Sequence, residues 1–261
     1  IYPTVIGITG NENLPLENMG EIQNKGWELN LTWRDQVGQV KYQVSFNLSD
    51  AKNEITDLGK SAPSLGNNIR REGDPIDAYY GYLTDGLAQI SDFGGRNESN
   101  GKYVDPKFPV ISSYADIIQP GDIKYRDISG PDGKPDGVIN DYDKVVFGDK
   151  YPRYSYSLKG ELEWKGIDFS FYLQGVGKVN GYLTDEARHC FINDYSIPKK
   201  AHLDRWTPNN PGASYPRMYF AQKHNIEFSD YWLENASYLR VKNIQLGYSF
   251  PKSMLQKIKA N

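Results

Sequence analysis

The stretch WELNLTWRDQVGQVKYQVSFNL, residues 27–48, alternates apolar and polar side chains on both sides of Asp35-Gln36-Val37-Gly38. Trp27, Leu29, Leu31 and Trp33 are separated by Glu28, Asn30, Thr32 and Arg34. Beyond the expected turn, Val40, Tyr42, Val44, Phe46 and Leu48 are separated by Lys41, Gln43, Ser45 and Asn47. Successive side chains of a strand point to opposite faces, so the pattern predicts an antiparallel hairpin with one apolar face. That face needs a cover, and the choice is a second sheet or lipid.

Composition narrows the choice. The chain has 261 residues, room for one large all-β domain or two ordinary ones. With 38% hydrophobic and 24% charged residues it is polar overall, and no run approaches the ~20 apolar residues of a membrane helix. A helical membrane protein is excluded; a barrel is not, because its strands are half polar. The net charge of -3 and the lack of a basic stripe give no case for nucleic acid. Cys190 is the single cysteine, so no internal disulfide forms, and His189, His202 and His224 are scattered. His189 beside Cys190 therefore reads as part of a loop and not as a zinc fragment. The 20 Tyr and 5 Trp suit the aromatic girdles of a barrel and equally a carbohydrate-binding sheet.

Further segments repeat the opening pattern. Tyr154, Tyr156, Leu158, Leu162 and Trp164 alternate with Ser155, Ser157, Lys159, Glu161 and Glu163, and Ile167, Phe169, Phe171 and Leu173 follow a tight turn at Lys165-Gly166. In YLRVKNIQLGYSFP, Leu239 and Val241 hold one phase while Ile244, Leu246, Tyr248 and Phe250 hold the other. That shift predicts a bulge near Lys242-Asn243, and Pro251 then ends the strand. The expected strands are about 27–34, 40–49, 153–164, 167–175 and 237–250, joined by short turns and by long irregular connections over about 50–152 and 175–236. Such alternation of short and long connections is unusual in compact soluble domains and usual in outer-membrane barrels. Trp33, Trp164 and Phe250 each stand where a strand enters a turn or a proline stop, as a lipid-interface girdle would place them. Glu28, Arg34, Lys41, Lys159, Glu161 and Asp168 share the other phase and would line a wet interior.

Residues 122–143, DIKYRDISGPDGKPDGVINDYD, carry the strongest chemical pattern. Asp136-Gly137-Val138-Ile139-Asn140-Asp141-Tyr142-Asp143 follows the second half of an EF-hand-like loop: a carboxylate, a turn glycine, a backbone carbonyl at Val138 and a closing acid. The first half departs from that pattern. Asp132 stands at the right spacing but puts Lys134 at a ligand position, whereas Asp127 requires an insertion over Gly130–Pro135. A structural Ca2+ held by Asp136, Asp143, the Val138 carbonyl and either Asp127 or Asp132 is one reading; a solvated turn with Asp capping backbone amides is the other. Tyr79, Tyr80 and Tyr82 form an aromatic cluster able to stack on sugar rings or simply to pack under a loop. Glu161 and Glu163 share a strand face, as a glycosidase pair could, but they read as a polar face, and no nucleophile elbow is present. No catalytic residue is assigned and the chain is not expected to be an enzyme.

Six blocks then resemble the SusC/RagA-type TonB-dependent transporters of the Gram-negative outer membrane. They are GEIQNKGWELNLTWRD (20–35), NLSDAKNEITDLG (47–59), REGDPIDAYYGYLTDGL (71–87), PGDIKYRDISGPDGKPDGVINDYD (120–143), DRWTPNNP (204–211) and NASYLRVKNIQLGYSFPKS (235–253). They stand in the family's order and span nearly the whole chain. The resemblance implies an all-β fold, a part of a large antiparallel transmembrane barrel of about twenty-two strands around a plug. Residues 1–261 would belong to the C-terminal half of one barrel domain, with the plug, a carboxypeptidase-like leader domain, the TonB box and the final strands lying elsewhere. It further implies energy-dependent import of oligosaccharides, or less often peptides, with no required cofactor. Its partners would be a SusD-like surface lipoprotein, the TonB-ExbB-ExbD complex and outer-membrane lipid. The alternative is a secreted or surface β-sandwich that binds carbohydrate, with a surface hydrolase a more distant third.

Overall fold

The computed structural model describes residues 20–59, 62–191, 196–220 and 223–251. Five long strands form one antiparallel sheet in chain order: β1 (Glu21–Val37), β2 (Val40–Asp57), β3 (Tyr154–Trp164), β4 (Ile167–Gly177) and β5 (Tyr238–Tyr248). The first hairpin turns on two residues, Gly38-Gln39, and not on the four expected from Asp35 to Gly38, because Asp35, Gln36 and Val37 continue the ladder opposite Tyr42, Lys41 and Val40. Gly38 has φ +62°, and at the second hairpin Lys165 and Gly166 have φ +48° and +84°, the positive values that two-residue turns demand.

Register keeps the two phases apart across all five strands. The apolar face carries the rows Val37–Val40–Trp164–Ile167–Tyr248, Trp33–Val44–Gly160–Phe171–Ile244 and Leu31–Phe46–Leu158–Leu173–Val241. The other face carries Arg34–Gln43–Glu161–Ser170–Gln245 and Thr32–Ser45–Lys159–Tyr172–Asn243. The register of β4 on β5 shifts between Tyr172 and Leu173, which face Asn243 and Val241, so Lys242 is the extra residue of the expected bulge. Without it, either Val241 or Ile244 would turn to the polar side. From Trp27 to Val37 is about 34 Å of strand at ~3.4 Å per residue; a tilt of about 40° leaves about 26 Å of height, matching the apolar band of about 25 Å on an outer-membrane barrel.

The register also revises the girdle. Trp164 and Tyr248 share the row nearest the turns, and Phe250 packs edge-on against Tyr248 with ring centroids 5.0 Å apart. Trp33 lies further from the turns, in the row of Gly160, because β1 runs on past it to Val37.

The long connections are not irregular. β1 and β2 extend beyond the expected 27–34 and 40–49, and the segments on the side away from the turns fold into a cap with its own sheets. Lys144–Gly148, Ala78–Tyr82, Asn68–Arg70 and Ser64–Leu65 make a four-stranded sheet; Thr84–Leu87 pairs with Ile123–Tyr125, and Asn180–Tyr182 with Leu233–Asn235. The largest core cluster of the described residues lies here, joining Tyr82, Leu87, Ile123, Tyr125, Ile139, Trp206 and Trp232. The cap is tied to the extension of β2, where Asn53 Oδ1 accepts from Ile76 N at 2.7 Å and Ile55 exchanges backbone bonds with Gly73 and Asp74. Trp232 is 2% exposed and donates its indole N–H to Asn225 O at 3.0 Å. Trp232→Ala should cost about 3–5 kcal/mol in the cap. Limited proteolysis of the full-length protein in outer-membrane vesicles should then show new cleavage within 178–235, with β1–β5 still protected. Unchanged protection of 178–235 would contradict this account of the cap core.

Candidate functional site: the polar face and the cap

The polar face of the sheet is a grid of short-range pairs. Arg34 Nε donates to Gln43 Oε1 at 2.5 Å, Thr32 Oγ1 to Ser45 Oγ at 3.2 Å, and Asn47 Nδ2 to Asn30 Oδ1. Lys159 pairs with Glu161 at 2.6 Å and Lys41 with Glu163 at 3.7 Å, so each of the two carboxylates weighed above as a glycosidase pair stands against a lysine. A recess of about 700 Å³ opens against this part of the sheet, lined by Arg34, Lys41, Gln43, Glu161, Glu163, Asp168 and Gln245. Tyr42, Leu162 and Phe169 line it as well, so the recess combines mixed charges and amides with apolar side chains.

The acidic loop is drawn together by its own carboxylates. Asp143 is fully buried and accepts from Ile128 N at 2.8 Å, Ser129 N at 3.1 Å and Asn140 N at 2.8 Å. Asp127 accepts from Gly137 N at 2.6 Å and Asp136 N at 3.3 Å, and Asp136 accepts from Val138 N at 3.0 Å. Asp132 is exposed on the loop surface and Val138 is exposed beside buried Ile139. Among the described residues no three His, Cys, Asp or Glu side chains converge as a metal-binding group. As it stands, the donor set is turned toward backbone amides, the arrangement of an Asx-capped turn.

The tyrosine cluster divides. Tyr80 and Tyr82 are buried in two different packing clusters, with Arg71 over the Tyr80 ring at 5.7 Å and Lys144 over the Tyr82 ring at 5.2 Å. Burial, with nearby acids, pushes the Tyr82 phenol well above its usual range. Tyr79 alone stays half-buried, beside Phe147, Tyr182 and Phe228 at centroid distances of 6.3, 5.7 and 6.0 Å. Strand alternation from Ala78 to Tyr82 sends Tyr80 and Tyr82 to one side and Tyr79 to the other, so the three cannot form one stacking platform.

The sequence reading missed the network at the centre of the cap. Asp122, fully buried, accepts from Gln119 N, Arg217 Nη2 and Asn225 Nδ2, each at 2.8 Å. Asn225 Oδ1 accepts from Ile123 N at 2.9 Å, and Tyr125 Oη donates to His224 O at 2.6 Å. Gly121 has φ +92°, and a Cβ there would stand 2.5 Å from the Trp206 ring, so only glycine lets Trp206 close over the network. The block PGDIKY is thus where the two long connections are bolted together. His189 and Cys190, read as loop residues, are buried with His202 around a small internal space. Burial holds the imidazoles of His189, His202 and His224 below the ordinary histidine range. Their folded values are depressed, so the unfolded chain binds more protons as pH falls through about 6.5, and stability present above that pH is lost below it. Thermal unfolding of the full-length protein should show a lower cap Tm at about pH 5 than at about pH 8, with His224→Gln flattening the difference. An unchanged Tm across that range would contradict this.

No family model matches the chain. "TonB-dependent receptor P26" of Formosa agariphila is 28% identical over 92% of this chain and 23% of its own length. "TonB-dependent receptor SusC" of Bacteroides thetaiotaomicron is 23% identical over 90% of this chain and 21% of its own length. The structure described as the RagAB peptide transporter superposes with a TM-score of 0.63 at 20% identity, covering 91% of this chain and 24% of that one. The chain therefore spans about a quarter of the length of the relatives it matches. Sequence and fold agree: over nearly its whole length this chain corresponds to a part of the transmembrane β-barrel of SusC/RagA-type TonB-dependent transporters, proteins of the Gram-negative outer membrane.

Proposed function

We propose that the chain supplies five wall strands and much of the external cap of a TonB-dependent importer that brings a nutrient across the outer membrane. The observation that carries this is the register: it holds a predominantly apolar face, interrupted by Asp35, and a predominantly polar face in phase across five strands, with a folded cap at one end only. The nutrient class is oligosaccharide, with peptide as the second choice; the family resemblance of the sequence blocks supports the first, and the RagAB peptide transporter among the similar structures supports the second. A SusD-like lipoprotein would seat on the cap, and TonB-ExbB-ExbD would act through a plug. Transport involves no covalent step, and the chain's residues contribute a wall, a polar lining and a mouth. The sandwich reading requires a second sheet over the apolar face, yet Val37 and Leu246 on that face are 67% and 76% exposed.

Paired arginine substitutions in the full-length protein test the reading. Phe46→Arg, in the middle of the apolar band, should cost about 2–4 kcal/mol and reduce membrane-inserted protein and uptake together. Ser45→Arg, its neighbour on the polar face, should leave insertion intact. Equal tolerance of both, or recovery of the native protein as a soluble folded monomer, would sink the proposal.

A structural Ca2+ in the acidic loop is a second proposal, resting on the Asp136–Asp143 spacing. Binding would require Asp127 and Asp136 to exchange the amide hydrogen bonds they accept for metal–oxygen bonds. Calorimetric titration should give heat with the wild type and none with Asp136→Ala; a wild type that gives no heat overturns it.

A further inference from the structure

Above the apolar band, on the same outward face, the sheet changes chemistry abruptly. The last apolar row at the cap end is Leu29–Leu48–Tyr156–Gly175–Leu239, and the next is Trp27–Asp50–Tyr154–Gly177. Two residues further along, Lys25 stands directly opposite Lys52, in the same side-chain phase as Trp27 and Leu48. Both lysines are exposed. Like charges directly opposite one another on a sheet face repel and weaken the pair, so this arrangement is unfavourable unless an anion lies between them. Lys52 reaches along the strand to Glu54 at 3.3 Å, whereas Lys25 has no acidic partner among the described residues.

The acid just below is already committed. Asp50 takes both arms of Arg153, Nε at 2.7 Å and Nη2 at 3.0 Å, and Lys178, whose carbonyl accepts from Arg153 N at 3.3 Å, lies within electrostatic reach of the same carboxylate. Arg153 also lies over the Tyr154 ring at 5.4 Å. Four cations, Lys25, Lys52, Arg153 and Lys178, therefore share this outward belt with two acids, Asp50 and Glu54. The order along the strands is apolar side chains, then Trp27 and Tyr154, then surplus positive charge. That is the order in which a lipid presents its chains, its interfacial region and its headgroup.

We propose that the Lys25–Lys52 pair binds the phosphorylated headgroup of an outer-leaflet lipid. Directly opposed residues are about 4.5–5.5 Å apart at Cα, so two ammonium groups on flexible stems can straddle one phosphate as point charges. The aromatic row beneath would hold the interfacial part of the same lipid, and the Leu29–Leu48 row its chains. The proposal rests on the membrane reading above, since the cap end of the sheet is taken to be the external one.

The test uses the full-length protein in discs of uncharged phospholipid, titrated with bis-phosphorylated lipid A and with the same lipid stripped of both phosphates. Bound lipid is counted by native mass spectrometry. The phosphorylated form should bind preferentially, and the preference should fall roughly five-fold for each lysine removed in Lys25→Gln and Lys25→Gln/Lys52→Gln. Lys159→Gln, on the polar face, should leave it unchanged. Equal binding of the two lipids, a preference that survives the double substitution, or displacement by inorganic phosphate at equal concentration would overturn the headgroup assignment while leaving the barrel reading in place. A protein that does not enter the discs would sink both.

Discussion

Everything in this chain depends on the two-residue period of the β-strand being kept in phase across five neighbours. A sheet has two faces, and a slip of one residue would exchange them wholesale. Here the rows of Val44, Phe46, Leu158, Phe171 and Ile244 stay on one side from β1 to β5. The hydrogen bonds of the ladder satisfy the backbone inside the sheet, which is the condition for placing strands in a hydrocarbon layer at all. The bulge at Lys242 is the place where this constraint is visible as a repair: one extra residue lets Val241 and Ile244, out of phase in sequence, both reach the apolar side.

The cap answers a different constraint. Its two connections, one before β3 and one after β4, fold into short strands joined by turns, so the backbone polar groups between those strands need partners from side chains. Asp122, Asn225 and Asp143 supply them, all buried: Asp122 accepts from the nearby Gln119 N and from the distant Arg217 and Asn225 side chains, while Asn225 and Asp143 accept from the backbone of Ile123 and Ile128 across the chain. A carboxylate buried among two or three N–H groups is worth far more as a fixed joint than as a free charge. These buried side chains therefore serve first to shape the cap, and the wall strands below can remain a plain repeating grid.

The wall was legible in the sequence because alternation is a local signal, and Trp27 to Leu48 carries it without help. Hairpin ends were less legible: Asp35 and Gln36 look like turn residues, yet they stay in the ladder because the glycine that can take positive φ is Gly38. The girdle of Trp33, Trp164 and Phe250 was inferred from proximity to turns, and register, which depends on where each strand ends, moved Trp33 to another row. The cap was the least legible part. Its pairs join residues such as Asp122 and Arg217 that no spacing rule connects, and the tyrosines of 79–82 could not be sorted until the strand over Ala78–Tyr82 showed which side each one takes. The acidic loop looked like a ligand set because a carboxylate that caps amides and one that binds a cation need the same residue in the same turn.

The central claim is that the odd-numbered side of β1 meets lipid. In the full-length protein with Cys190→Ser, spin labels placed singly at positions 29 to 34 and measured in bilayers test it directly. Labels at 29, 31 and 33 should collide with oxygen dissolved in the membrane, and labels at 30, 32 and 34 with a water-soluble nickel complex, giving a two-residue oscillation. Odd positions open to the nickel complex, or closed to both reagents as under a second protein sheet, would contradict the account.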